Sequence, residues 1–190
     1  IINRGVPGFE GDLDEYKGVM SVLGARSALK KHPGIKVIAE VYGRWDENVS
    51  QAEMTKALTA HSDVEGVINQ AGAYGTTQAF INLHHKFVPM TGEASNGWRL
   101  MMLKYKDQGL KGISVGDPPG LGAYALKVAV DVLDGKAPKD KDILVGMPTL
   151  TTEELKSGVN VFPDQPATVY DDIDIPGSGF QLTMNDALGK

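Results

Sequence analysis

Ile35-Lys36-Val37-Ile38-Ala39-Glu40-Val41-Tyr42-Gly43-Arg44-Trp45-Asp46 is the stretch that decides how this chain is read. Residues 35–41 are a short, nearly continuous apolar run, the pattern of a strand buried on both faces in a parallel sheet. Residues 49–61 follow with Met54, Leu58 and nearby alanines on one helical face. Between strand and helix, the turn Tyr42-Gly43-Arg44-Trp45-Asp46 presents an aromatic ring beside an arginine and an aspartate. In an open α/β sheet, the carboxyl ends of the strands are where ligands sit. Trp45 therefore has two readings here. It is a core residue that closes the strand, or its apolar face stacks on a sugar-like ring while polar neighbours read the rim.

The same alternation extends in both directions. Residues 1–3 read as the stump of a strand, followed by a Gly/Pro turn over residues 5–11. A helix begins at Asp12 with acids in its first turn, which suits the helix dipole, and stops at Pro33-Gly34. Strands are expected over 64–69, 87–91, 112–115 and 143–147. Helices are expected over 73–84, 96–108 and 121–133, where Trp98, Leu100, Met101 and Leu103 form the stripe of the second of these. Strands that alternate with helices of this length are repeated βαβ units. The fold class is α/β: a three-layer αβα sandwich with a mostly parallel sheet. From residue 150 the pattern decays. Residues 151–157 suggest a short helix, and residues 159–190, rich in Pro, Asp and Gly, read as an extended tail over the surface, with a partner surface as its expected seat.

The 190 residues suit one domain or two small lobes, and 42% hydrophobic with 23% charged residues is an ordinary globular composition. A net charge of -5 gives no electrostatic reason to expect nucleic acid. With no cysteine there are no disulfides, thiolate metal sites or thiol nucleophiles. No Walker A pattern occurs, and the glycines at 72 and 75 lack the rest of a dinucleotide fingerprint. The adjacent His84 and His85 have poor metal spacing. Asp171, Asp172 and Asp174 lack the spaced ligand set of a calcium loop, and no serine lies in a nucleophile elbow. The chain offers groups for holding a ligand and few for transforming one. The expectation is a binding protein, not an enzyme, with no cofactor and no metal.

An ordered set of motifs carries a resemblance. It runs from Val6-Pro7-Gly8 through Arg44-Trp45-Asp46 to Leu58-Thr59-Ala60-His61-Ser62-Asp63-Val64. It continues with Asn69-Gln70, Thr91-Gly92-Glu93, Gly116-Asp117-Pro118-Pro119-Gly120 and Leu133-Asp134-Gly135-Lys136. Together these resemble the periplasmic sugar-binding proteins of the ribose/galactose type, the solute receptors of ABC importers. The resemblance covers about residues 3–150. It implies two α/β lobes joined by three crossovers, with the ligand trapped between them by hinge closure.

In that layout residues 1–116 are the C-terminal ligand-binding lobe. Residues 117–150 are a helix and strand of an N-terminal lobe that is missing from this chain, and residues 151–190 are the return crossing and tail. The chain opens on Ile1 with no initiator Met, so upstream sequence with a signal peptide is expected, and the location is periplasmic. The helix at 121–133, without its own sheet, is expected to fold back on the lobe or to sit in an intermolecular contact. The partners implied are a sugar or polyol and a membrane ABC permease, with no nucleic acid. The alternative within the same fold is the effector-binding domain of a lactose-repressor-type transcription regulator, its DNA-binding headpiece lying outside this chain.

Position by position, the family's aromatic stacker falls on Trp45. The loop after Pro7-Gly8 offers Phe9, and the family's clamping arginine is replaced by Glu15. The usual asparagine and aspartate at the next two strand ends fall on Ala71 and Ala94, beside Gln70 and Glu93. The hinge amide falls on Gly116, beside Asp117. The ligand set implied is therefore Phe9, Glu15, Trp45, Gln70, Glu93, Asn96 and Asp117. Loss of the standard arginine, asparagine and aspartate points to a different polyol, a modified sugar or a cationic ligand, and Glu15 with Glu93 favours one with many hydrogen-bond donors. Other readings remain open: Glu15 facing solvent, Asn96 as a helix N-cap, Gln70 as a loop brace. Trp98 is read as helix-face packing.

Overall fold

Strand β1 (Ile2–Arg4) lies between two parallel neighbours, β2 (Glu40–Tyr42) and β3 (Ile68–Asn69). The computed structural model of the chain describes residues 1–5, 24–175, 179, 183–187 and 189. A second ladder holds β4 (Met90–Glu93) parallel to β5 (Gly112–Val115), and β5 antiparallel to β6 (Thr149–Thr151). A parallel bridge between Val67 and Met90 joins the two ladders. The Asn69 side chain reinforces it by donating to the Thr91 carbonyl at 2.8 Å. The order is thus β2-β1-β3 followed by β4-β5-β6, mostly parallel as the βαβ pattern requires.

Helices α2 (Glu47–Ala60), α3 (Ala73–Asn82) and α4 (Asn96–Tyr105) follow β2, β3 and β4. They bury one side of the sheet with Met54, Phe80, Trp98 and Met102, all fully buried. In α2 the buried positions are Ser50, Met54, Ala57 and Leu58, the 3.6-residue stripe expected. Its start is fixed by Asp46, whose carboxylate accepts the Val49 N–H at 2.8 Å as an N-cap. This moves the helix two residues upstream of where the apolar stripe begins. Ser95 caps α4 in the same way, accepting from Trp98 N–H. Trp98 occupies a slot made by two glycines, since a Cβ at Gly92 or Gly112 would come within 2.8 Å of the indole. Its Nε1–H donates to the Ile113 carbonyl at 3.3 Å. Trp98 is core, as its place in the stripe suggests.

Residues 24–30 form helix α1, whose Arg26 donates to Glu40 of β2 at 2.7 Å. Leu29 of α1 borders a cavity of about 930 Å³ along the amino ends of the strands, together with Ile2, Val37, Ile68 and Ile113.

Three expectations are corrected. The apolar run 35–41 contributes only Glu40–Tyr42 to a strand. As an edge strand, β2 pairs with β1 alone, so its ladder is as short as β1, and Ile35 and Val37 stay exposed. Residues 143–147 form no strand: Leu144 is 95% exposed, and no strand among the described residues pairs with them. Finally, the tail does not merely lie over the surface. Val161 and Ile175 are fully buried, and residues 155–175 are tied to α4 by side chains described below.

Helix α5 (Gly120–Leu133) forms as expected but buries only Gly120. Leu126 and Leu133 are 67% and 87% exposed, and Val130 and Val132 are also open. It has not folded back on the sheet. The Gly/Pro turn at 5–11, the helix start at Asp12, Phe9, Glu15 and Pro176-Gly177 lie partly or wholly outside the described residues. Among the described residues no helix is long and apolar enough to cross a membrane.

Candidate functional site: the carboxyl edge of the sheet

The carboxyl ends of β1, β2 and β3 are held in register by one buried asparagine. The Asn3 amide nitrogen donates to the Asn69 side chain, the Ala71 carbonyl and Thr76 Oγ1 at 3.2–3.3 Å, and its Oδ1 accepts from the Gly43 N–H at 3.1 Å. Thr76 Oγ1 donates in turn to Asn69 at 2.8 Å. A buried hydrogen-bonded network of this kind fixes the loops that leave the strands.

From that base, Gly43 leads into Arg44 and Trp45, which both adopt left-handed backbone angles (φ 53° and 55°). Two successive non-glycine residues in that region are uncommon, and such backbone persists where surrounding structure holds it. Here the Arg44 N–H bonds the Gly5 carbonyl at 2.9 Å and the Asp46 N–H bonds the Gly43 carbonyl at 2.9 Å. The turn brings the Trp45 indole onto Gly5 at the end of β1, where any Cβ would collide with the ring. Trp45 remains 48% exposed. It does not close a core; it presents a ring at the edge.

Gln70 follows β3 and accepts the Gly5 N–H through Oε1 at 3.3 Å, bracing the backbone under Trp45. Glu93 ends β4 and accepts the Tyr170 phenolic hydrogen at 2.8 Å. Asp117 follows β5, half-buried. Trp45, Gln70, Glu93 and Asp117 thus come from four successive strand ends along one edge. Asn96 stands apart from them. It is fully buried, its amide nitrogen donates to the Phe162, Gln165 and Pro166 carbonyls, and its Oδ1 accepts from the Phe162 N–H. Its role is to anchor the tail, and the helix cap it resembled in sequence is its neighbour Ser95.

Two residues of this edge were not singled out from sequence. The Glu47 carboxylate sits at the amino end of α3 and accepts the Gly75 N–H at 2.6 Å, a favoured place for negative charge. Burial raises its carboxyl above the usual range, partly offset by the Gly75 bond, and the charges of Asp46 and Glu93 push the same way as burial. In sequence it lay just ahead of the helix expected over residues 49–61, with nothing local to mark it. Tyr170 lies in the tail, where no periodicity marks it. Burial raises its phenol, and the charge and hydrogen bond of Glu93 add to this.

The edge therefore combines one half-exposed indole with acceptors from Glu47, Glu93 and Gln70. It is equipped to hold a donor-rich ligand with an apolar face. Among the described residues no three His, Asp or Glu side chains are grouped as a bound metal would need. The cavity of about 930 Å³ borders the opposite ends of the strands and does not include these residues.

A family model described as the periplasmic binding protein domain matches residues 1–137. The chain belongs to this family. Solved structures of similar fold include an ABC transporter periplasmic solute-binding protein from Actinobacillus succinogenes 130z with bound D-allose, 23% identical with a TM-score of 0.63 over 80% of this chain and 52% of that one. Another is an ABC transporter solute-binding protein from Bacillus halodurans C-125 with bound myo-inositol, 22% identical with a TM-score of 0.62 over 80% and 50%. A third, from Agrobacterium vitis with bound D-fucose, is 15% identical with a TM-score of 0.65 over 83% and 52%. At these identities the likeness is one of fold, and this chain of the periplasmic binding protein family spans about half the length of each. No curated protein sequence matched.

Proposed function

We propose that this chain is the ligand-binding C-terminal part of a two-lobe solute receptor that traps a sugar, polyol or modified sugar and delivers it to an ABC permease. The observation that carries the reading is Trp45. A strained turn and a side-chain-free Gly5 hold its ring half-exposed among hydrogen-bond acceptors at the ligand edge of the sheet. A stacked aromatic with acceptors at its rim suits a pyranose or cyclitol, whose faces carry C–H groups and whose edge carries hydroxyls.

The lobe comprises residues 1–116, a helix-bearing segment over 117–150 belongs to the opposite lobe, and residues 151–190 return to the first. Support comes from α5, which offers an apolar face that this lobe leaves open, and from solved structures of similar fold of which this chain covers only 50–52%. The protein acts by binding and closing, without chemistry, in the periplasm. Calorimetry of the complete protein against monosaccharides and inositols tests the proposal. It predicts saturable binding of at least one, and no binding across the panel would refute it.

A further inference from the structure

The tail is fastened to the carboxyl end of β4 with unusual thoroughness. Its backbone runs alongside residues 94–97. Asn96 and Gly97 donate to the carbonyls of Val169 and Ala167 at 2.7 and 2.9 Å, and Asp171 donates to the Ala94 carbonyl at 3.0 Å. Ser95 and Tyr170 form an antiparallel bridge. The fully buried Arg99 then grips Asp172 with both terminal nitrogens at 3.0 and 2.5 Å, and bonds the Asn160 carbonyl at 3.0 Å and Ser114 Oγ at 3.0 Å. These bonds fix the residue between Val169 and Asp171. That residue is Tyr170, 39% exposed, beside Glu93.

We propose that Tyr170 is a specificity-determining residue of the ligand edge, its hydroxyl accepting a hydrogen bond from one hydroxyl of the bound sugar or polyol. The inference rests on the receptor reading above and extends it to a residue of the tail. The reason is directional. A phenol has one hydrogen, and Tyr170 commits it to Glu93 at 2.8 Å. Its remaining lone pairs can only accept, so the position favours a ligand O–H and disfavours an ether, a methyl or a carbonyl there. The raised phenol keeps that hydrogen in place at neutral pH. Because the tail backbone is held on both sides, little ordering remains to be done when the ligand arrives.

The test is calorimetry of the complete protein and its Tyr170→Phe variant against a panel of monosaccharides and inositols, each paired with its monodeoxy analogues. The expected result is a roughly tenfold loss for the parent ligand on Tyr170→Phe. One deoxy analogue should suffer the same loss on the wild type, and the variant should no longer distinguish that analogue from its parent. Melting temperature should be nearly unchanged, since the bonds that fix the tail do not pass through the phenol. Unchanged affinity, or an equal loss for the parent and every analogue, overturns the role of Tyr170 and leaves the receptor reading standing. Failure of the wild type to bind any member of the panel overturns both.

Discussion

The indole of Trp45 occupies the space that a side chain at residue 5 would fill, so Gly5 and Trp45 form one unit although they sit on different strand ends. Replacing Gly5 by Ala should therefore act on Trp45 before it acts on the fold. The expected outcome is a roughly tenfold or greater loss of ligand affinity in the complete protein, with a larger fraction of tryptophan fluorescence open to iodide quenching. Trp98, fully buried, supplies the protected reference within the same spectrum. A Gly5→Ala variant with wild-type affinity and quenching would mean the ring is not positioned by this contact.

Arg99 is fully buried and holds Asp172 in a bidentate pair. Replacing Arg99 by Met leaves a carboxylate, a serine hydroxyl and a tail carbonyl without their donor. Breaking a buried pair from one side costs about 3–5 kcal/mol. Thermal denaturation should show a loss of that order, and proteolysis should cut residues 155–175 faster. A loss under about 1 kcal/mol would mean that the tail is held without the Arg99–Asp172 pair, by Asn96 and its backbone bonds.

Asp171 makes stability depend on pH. Its carboxylate oxygens are buried and have no hydrogen-bond partner among the described residues. Burial pushes its carboxyl up to about 7; the Arg99 guanidinium opposes this and the Asp172 charge adds to it. A carboxyl raised on folding binds more protons in the native state than in the unfolded chain. Stability from this group is thus greatest below the ordinary carboxylate range and falls as pH rises from about 4 through about 7. Asp171→Asn removes the ionisation, so it should flatten that slope and raise the melting temperature at pH 8. An unchanged pH profile would show that Asp171 finds a partner or solvent in solution.

Leu126 and Leu133 stand in the open on α5. Their replacement by Ser should change the stability of this chain alone by no more than about 0.5 kcal/mol, as for surface sites. In the complete protein, where we place α5 against the opposite lobe, the double substitution should cost several times more. Equal effects in both settings would contradict that placement.

What the sequence made legible, and what it hid, separates by range. Helix α2 and strand β5 were readable because periodicity and caps act within a few residues: Met54 and Leu58 mark a stripe and Gly112–Val115 a strand. Trp98 was legible as core from its stripe, although the slot made by Gly92 and Gly112 was not. Residues 143–147 look like a strand because apolar runs do, but a strand needs a neighbour to bond, and none among the described residues is beside them. The tail was misjudged for the opposite reason. Its partners Asn96 and Arg99 lie 61 to 73 residues away in sequence, and nothing local in Asn160, Phe162 or Asp172 announces them. Asn96 consequently looked like a ligand residue. Glu47 and Tyr170 were missed at the carboxyl edge of the sheet because each acquires meaning only from a partner on another element, Gly75 or Glu93.

The most direct measurement of the central claim is ligand affinity of the complete protein with Trp45→Ala, read by calorimetry beside a melting curve. Base or sugar rings stacked on an exposed indole lose much of their binding when the ring is removed, while a half-exposed side chain in a loop contributes modestly to folding. Trp45→Ala should bind the sugar or polyol at least a hundredfold more weakly and melt within a few degrees of wild type. Affinity that survives Trp45→Ala unchanged would contradict the central claim.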